Sequence, residues 1–157
     1  MGELVVRVDD QDCELGVVNR REAIRVGRPY RVAVTVCRDE RRQILVHRRS
    51  ERVSRFPGLY EVELGRAVNV GEPYELAAAR ELAEELGIRA LPRLLFTFIN
   101  RNGLSPHQLG VHEAVVPDAM VPDPDEVAWY GWLTEPELRR ALLEWRFTPD
   151  SHEAFSQ

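Results

Sequence analysis

The sequence contains no lysine, so all 21 of its basic residues are arginine. Its 26 acidic residues outnumber them and give a formal net charge of −5. Proteins that bind the phosphate backbone of nucleic acids usually have more basic than acidic residues, so this net charge argues against a general nucleic-acid-binding function. A small nucleotide is still compatible with it, because one local group of arginines is enough to bind a phosphate.

Cysteine is also scarce. Cys13 and Cys37 are the two in the chain, and they lie far apart without the spacing of metal ligands. We predict that both are small buried hydrophobic residues.

Long apolar runs are missing as well. No stretch approaches the roughly 20 residues of a membrane span. Residues 1–7 lack a basic segment followed by an apolar block, so no signal peptide is visible. We therefore expect a cytoplasmic protein with no membrane partner. The 157 residues, 44% of them hydrophobic, fit one domain. We divide it into an N-terminal hairpin and link (1–28), a core (29–145) and a C-terminal tail or helix (146–157).

Hydrophobic periodicity and turn residues predict the secondary structure. The predicted strands are 3–8 and 14–18, paired as a hairpin, and then 30–37, 44–48, 59–64, 93–99, 108–116 and 127–133. One helix opens at 70–73 and is stopped by Gly87. A second helix covers 135–145, with Thr134 as N-cap and Glu137 three residues on, and a short helix begins near 148. Because several strands are joined by turns alone, the pattern favours an α+β fold.

The predicted helix that ends at Gly87 carries an acidic face. Glu81, Glu84 and Glu85 are three or four residues apart, so they converge on one side of the helix. Each like-charged pair costs a few tenths of a kcal/mol. Hard divalent ions such as Mg²⁺ take oxygen ligands and would remove this repulsion. Arg80 can pair with one of these glutamates. Taken alone, these three glutamates favour a solvated acidic surface, because such runs are common on helices.

A longer pattern surrounds this face. Glu72 is followed, after seven residues, by Arg80-Glu81-Leu82, one residue, Glu84-Glu85, one residue and Gly87-Ile88. This resembles the Nudix box, G-x5-E-x7-R-E-U-x-E-E-x-G-U, where U is aliphatic. The resemblance to MutT-like Nudix hydrolases covers residues 30–142. The hairpin and residues 148–151 resemble a subgroup related in sequence to isopentenyl diphosphate isomerase.

One box position differs, because Arg66 stands where the box has its glycine, although Gly65 precedes it. Arg66 could hold a phosphate, or it could crowd the pocket and lower activity. It also needs a backbone conformation that a non-glycine residue can adopt.

The resemblance implies an α/β/α sandwich with a mixed β-sheet. It also implies a hydrolase that uses Mg²⁺ or Mn²⁺ to cleave a diphosphate linkage in a nucleoside diphosphate derivative or a similar small molecule. The implied metal ligands are Glu81, Glu84, Glu85 and the Gly65 carbonyl, with Arg80 orienting the cluster. A further glutamate from outside the box often acts as base or ligand, and Glu126 is the candidate, the alternative being an exposed loop acid.

Other residues are candidates for binding the substrate. Arg48 and Arg49 leave a predicted strand near the expected cleft, and strand alternation points them to opposite sides. We therefore expect only one of them to face the substrate. Tyr60 could stack on a base or could belong to the core. Loops 100–106 and 117–125 would set specificity. A homodimer through the hairpin is possible.

Two alternatives to hydrolysis are a non-catalytic nucleotide-binding module and an isopentenyl diphosphate isomerase. The isomerase resembles this chain in its box and ends. It needs a reactive cysteine before a Gly-His near the box, as well as metal-binding histidines. Residues 63–67 read Glu-Leu-Gly-Arg-Ala, with neither residue type.

Overall fold

The computed structural model of the protein describes residues 2–101, 105–117 and 120–156. Two loops expected to set specificity, 100–106 and 117–125, therefore lie partly outside the described residues. None of the described helices is long and apolar enough to cross a membrane.

The chain begins with the predicted hairpin and continues into a larger sheet flanked by helices. The strands are β1 (Leu4–Val8), β2 (Glu14–Asn19), β3 (Arg31–Arg38), β4 (Ile44–Arg49), β5 (Tyr60–Glu61), β6 (Glu63–Ala67), β7 (Arg93–Asn100), β8 (His107–Val115) and β9 (Val127–Leu133). The helices are α1 (Arg20–Val26), α2 (Tyr74–Leu86), α3 (Glu135–Glu144) and α4 (Pro149–Ser156).

The larger sheet is mixed, as predicted. Its strands run in the order β5-β4-β3-β8-β7, with β6 also paired to β3 and β9 also paired to β4. β3 and β8 are parallel, whereas the other pairs in this sheet are antiparallel. β1 and β2 form their own two-stranded antiparallel sheet.

Helices cover both faces of the sheet, and alternation along β4 shows why. Leu45 packs in a cluster with Leu82 and Leu86 of α2. Its neighbours Ile44 and Val46 point the other way and pack with Leu138 of α3. Since successive strand residues face opposite sides, one strand supplies both cores. The predicted α/β/α sandwich is confirmed.

The helix signals in the sequence act where they were expected. Gly87 ends α2 with φ 66°, a left-handed conformation that glycine adopts at little cost. Thr134 and Glu137 form a reciprocal capping box at the start of α3.

Two predictions were wrong. The single strand 59–64 is two strands, because the chain leaves β4 after Glu61 and pairs with β3 from Glu63 onward. Gly65 is thus inside β6 rather than at a strand end. Cys13 is exposed, since it lies in the turn of the N-terminal hairpin, whereas Cys37 is buried as expected.

Candidate active site

Helix α2 places two of its glutamates against the sheet and one toward solvent. Ala77, Ala78 and Leu82 are fully buried in the interface with the sheet. The Glu81 side chain, beside this stripe, is only 3% exposed, and that of Glu85, one turn on, is 12% exposed. Glu84 is 59% exposed. The predicted trio therefore divides, and Glu81 and Glu85 form the buried part.

Arg80 links the start of the box to its centre. Its guanidinium donates to both carboxylate oxygens of Glu72, each at 3.1 Å, and to Glu81 Oε1 at 2.7 Å. It also lies 3.8 Å from Glu84. Burial opposes ionisation of Glu72, but the hydrogen bonds from Arg80 and from the Asn69 amide lower its pKa overall. Arg80 thus contacts both Glu72 and Glu81, and its expected role of orienting the cluster stays a prediction.

Gly65 and Arg66 of β6 face this end of α2. A Cβ at position 65 would lie 1.8 Å from the Ala33 carbonyl oxygen of β3, so no larger residue fits there. Arg66 is under no such constraint: the non-glycine residues with positive φ in the described chain are Asp12, Arg42 and Phe56. The backbone therefore accepts arginine where the box has glycine.

The Arg66 guanidinium lies among three carboxylates. Its Nη2 donates to Glu126 Oε1 at 2.6 Å, and its Nε is 3.7 Å from Glu85 Oε1 and 4.0 Å from Glu81 Oε2. Glu126 comes from the segment before β9 and is 30% exposed. The fold thus brings Glu126 to the box glutamates, and we call Glu81, Glu85 and Glu126 the carboxylate cluster.

The negative charge of this cluster is incompletely neutralised. Burial raises the pKa of Glu85 well above its ordinary value, and the neighbouring Glu81 raises it further. Burial likewise raises the pKa of Glu81. Glu81 Oε2 is buried and has no hydrogen-bond partner among the described residues. An orphaned carboxylate oxygen beside further carboxylates is the donor set of a hard divalent cation, so the residues fit Mg²⁺ or Mn²⁺ in chemistry.

The cluster is not a preformed metal site. In residues 2–101, 105–117 and 120–156, no three His, Cys, Asp or Glu side chains are grouped in a way that could hold a metal ion. The position of Arg66 among the carboxylates is consistent with this. A metal ion would require some of these side chains to rearrange.

A cavity of about 520 Å³ opens beside the carboxylate cluster. Gly65, Arg66, Glu85 and Glu126 line it on the cluster side. It is large enough for a small-molecule ligand, since such pockets typically measure roughly 300–1,000 Å³.

Arginines also line this cavity, and one of the two predicted candidates is among them. Arg49 donates to Glu61 Oε1 and to the Arg55 carbonyl, both at 2.8 Å, and lines the cavity. Arg48 lies outside the lining formed by the described residues and is 3.8 Å from Glu51. Strand alternation predicted that only one of these two arginines faces the cavity, and in the structure that residue is Arg49.

The interpretation of Tyr60 as a substrate contact is not supported by its position. Its ring packs 4.7 Å, centroid to centroid, from Trp145 and 5.9 Å from Phe147. It joins the cluster on the α3 side of the sheet rather than the cavity lining as far as the chain is described. The alternative, a core residue, is the better interpretation.

Sequence reasoning missed part of the cavity wall. Arg52, Arg55 and Phe56 line the cavity beside Arg49. The density of arginines over residues 48–55 was a usable signal for this wall.

A polar group at the C-terminal side of the cavity was also missed. His107 Nε2 lies 2.9 Å from Asp150 Oδ1, and the Asn100 amide nitrogen lies 2.5 Å from the same oxygen. Burial opposes protonation of His107, but the Asp150 contact raises its pKa overall. Nothing in the local sequence indicated this group, because its members come from β7, β8 and α4.

The cysteines lie apart from the cavity. Cys37 is fully buried, and burial together with the Glu85 charge raises its pKa to about 12. Neither cysteine is part of the cavity lining in the described structure.

Known proteins resemble both the sequence and the fold. The NUDIX domain family matches residues 27–155. An uncharacterised Nudix hydrolase of Streptomyces coelicolor is 37% identical over 99% of this chain and 87% of its own length. An isopentenyl-diphosphate Δ-isomerase of Pectobacterium atrosepticum is 32% identical over 98% of this chain and 87% of its own. A crystal structure of a Deinococcus radiodurans protein superposes with a TM-score of 0.82 at 29% identity, covering 97% of this chain and 96% of that one. The box around Glu81 and Glu85, the sandwich and these matches agree, and the chain belongs to the NUDIX domain family of Nudix hydrolases, enzymes that act on phosphorus-containing anhydrides.

Proposed function

We propose that the protein hydrolyses the diphosphate linkage of a nucleoside diphosphate derivative or a similar small molecule, with Mg²⁺ or Mn²⁺ as cofactor. The observation that carries this proposal is the carboxylate cluster at the wall of a cavity also lined by Arg49. The carboxylate cluster can bind a divalent cation, and the guanidinium of Arg49 can bind phosphate oxygens. A diphosphate carrying a divalent ion matches both.

The chain's own groups would divide the work. Glu81, Glu85 and the Gly65 carbonyl would hold the metal, and Glu84, at the exposed edge of the same helix face, would complete the ligand set. The metal, when bound, offsets phosphate charge and lowers the pKa of water. Arg80 would keep Glu72 and Glu81 in place, and Glu126 would accept a proton or act as a further ligand.

Binding of the substrate would fall to the arginines. Arg49 already has its guanidinium fixed by Glu61 and by the Arg55 carbonyl, so little side-chain entropy is lost when it receives a phosphate. Arg66 would donate to a phosphate from the cluster side of the cavity. The polar lining around His107 and Asp150 favours a hydroxyl-bearing organic group over a hydrocarbon tail, because an apolar tail would strip these groups of water without replacing their hydrogen bonds.

Isomerisation of isopentenyl diphosphate is the less favoured alternative despite the relatives that carry that name. The cysteine that the reaction needs has no counterpart in the described cavity. Cys37 is buried and held as an unreactive thiol, and Cys13 lies in the turn of the N-terminal hairpin.

The test is a substrate panel assayed with Mg²⁺ and with Mn²⁺. It should include nucleoside diphosphates and triphosphates, nucleotide sugars, dinucleotides and isopentenyl diphosphate. We expect metal-dependent cleavage of at least one nucleoside diphosphate derivative. The variant Glu84→Gln should lose at least about 100-fold in kcat, the scale seen when a key electrostatic group is removed.

The matched control for that variant is Glu144→Gln, which removes one exposed glutamate from α3. Tight nucleotide binding without turnover under either metal would favour the non-catalytic binding module instead. Normal turnover of Glu84→Gln would remove Glu84 from the proposed ligands. The cytoplasmic location and the homodimer stay predictions from the sequence.

A further inference from the structure

Arg66 is a surface residue whose charged end is directed inward. Its side chain is 55% exposed, yet the guanidinium reaches carboxylates on two separate elements, α2 and the segment before β9. Among the described residues, no other arginine forms an ion pair with Glu85, since Arg80 contacts Glu72, Glu81 and Glu84. Arg66 is therefore the cation that serves Glu85 and Glu126 in the described structure.

The contacts of Arg66 are unequal. The hydrogen bond to Glu126 is short, at 2.6 Å, whereas Glu85 and Glu81 are 3.7 and 4.0 Å away. At those distances a charge is felt, but no hydrogen bond forms. Glu81 Oε2 accordingly has no hydrogen-bond partner in the described chain. Arg66 offsets the repulsion between the carboxylates but does not donate a hydrogen bond to each of them.

A divalent ion bound to the same oxygens would conflict with this arrangement. Carboxylate ligands approach Mg²⁺ to roughly 2.0–2.1 Å. The ion would then lie within a few ångströms of the guanidinium, and two cations this close repel strongly in a partly buried site. Either Arg66 or the metal can serve these oxygens, not both in the present geometry.

We propose that Arg66 is a tethered counter-ion that occupies the carboxylate cluster in the metal-free protein and must be displaced for a divalent metal ion to bind. This inference rests on the metal site of the proposed function. It makes the arginine at the box's glycine position a competitor of the metal, so that this chain binds free metal weakly and is stable without it. The displaced guanidinium lies beside the cavity, where a phosphate oxygen can become its new partner.

The experiment measures equilibrium Mn²⁺ binding to the metal-free full chain, without substrate, from the electron paramagnetic resonance signal of free Mn²⁺. Arg66→Gln removes the charge and should bind Mn²⁺ at least about tenfold more tightly than the unmodified protein. Arg66→Lys keeps the charge and should stay within about threefold of the unmodified protein. The matched control is Arg93→Gln, on β7, which removes a 75% exposed arginine paired with Glu113 and should also stay within about threefold.

Thermal unfolding gives a second readout. Metal-free Arg66→Gln should melt at a lower temperature than the unmodified protein, since the carboxylates lose their counter-ion. Saturating Mn²⁺ should abolish or reverse that difference. If Arg66→Gln shows no cooperative melting, Arg66→Ala is read in the same way.

The inference is overturned if removing the charge leaves the Mn²⁺ affinity unchanged or weakens it, or if no variant binds Mn²⁺. It is also overturned if Arg66→Lys tightens binding as much as Arg66→Gln does, because steric crowding would then be the cause. Hydrolysis is scored separately. A rise in Mn²⁺ affinity without turnover of any substrate would refute the proposed function alone, and turnover without the rise would refute only the role of Arg66.

Discussion

The carboxylate cluster and a second polar group near the same cavity each contain acids held away from solvent, and these acids are neutralised in different ways. The carboxylate cluster contains Glu81 and Glu85, whose pKa values are raised by burial. The second group, which we call the C-terminal anchor, consists of Glu63, Thr148 and Ser151. Burial also raises the pKa of Glu63 well above its ordinary value.

The difference lies in the partners. Ser151 Oγ donates to Glu63 Oε2 at 2.6 Å and accepts from the Val62 amide at 3.0 Å and from the Thr148 hydroxyl at 3.2 Å. The anchor is thus satisfied by neutral hydrogen bonds that fasten α4 to β6. The carboxylate cluster has two arginines, Arg66 and Arg80, for its three carboxylates, and it keeps an orphaned oxygen on Glu81. A buried acid with matched neutral partners serves the fold, whereas one left short of positive charge is suited to binding a cation.

The largest expected difference between the groups is in catalysis. Glu85→Gln should lower kcat by at least about 100-fold, because it removes a proposed metal ligand. Ser151→Ala changes the one anchor residue that is not itself part of the described cavity lining, and it should keep kcat within about threefold. Steady-state assays at saturating Mg²⁺ measure both. A Ser151→Ala variant that folds but is as impaired as Glu85→Gln would erase the distinction.

For stability we expect the reverse: the Ser151→Ala variant should be affected more than the Glu85→Gln variant. Ser151→Ala leaves the Val62 amide and the Glu63 carboxyl without their partner in the interior, and should lower the free energy of unfolding by about 1–3 kcal/mol. Glu85→Gln should not destabilise the metal-free protein at pH 8, since it removes a charge that burial disfavours. Urea denaturation in the presence of a chelator measures both values. A larger loss in Glu85→Gln than in Ser151→Ala would contradict the comparison.

The smallest expected effect is the pH dependence that Glu63 of the anchor gives to the free energy of unfolding. Because the pKa of Glu63 is raised in the folded protein, the folded state holds a proton that the unfolded state releases near its ordinary pKa of about 4.3. The contribution of Glu63 to the free energy of unfolding is therefore complete below that pH, and it is lost as the pH rises through the pKa that Glu63 has in the folded protein. One such group changes the free energy of unfolding by at most about 1.4 kcal/mol per pH unit.

Glu63→Gln keeps a neutral acceptor for Ser151 and removes the titration. Its stability relative to the unmodified protein should therefore increase as the pH rises from about 4.3 toward 8. Urea denaturation across that range, without metal, measures the difference. A constant difference between the two proteins would show that Glu63 is not a buried neutral acid.

Local patterns allowed much of the fold to be predicted. The capping box at Thr134, the stop at Gly87 and the acidic face of α2 depend on residues within one or two helical turns, whose relative positions helix geometry determines. Local patterns did not predict which glutamates of this face are turned toward the sheet and which one is exposed. That Glu81 is buried and Glu85 largely buried while Glu84 is exposed depends on how α2 packs against β6.

Contacts between distant segments needed the folded structure. The splitting of strand 59–64 and the group formed by His107 and Asp150 both depend on pairing or packing between distant segments of the chain. Tyr60 shows the same limit, because an aromatic residue in a strand suits either a core or a binding surface.

The sequence by itself determined the box: the spacing from Glu72 through Arg80 to Glu85 follows from one helix and needs no tertiary information. Only the tertiary structure decided what surrounds it. Glu126 meets Arg66 from 60 residues away, and Arg66 reaches Glu85 because β6 lies beside α2. The physical reason is that helix periodicity is a local property, whereas the charge balance of a site depends on every segment that packing brings within a few ångströms of it.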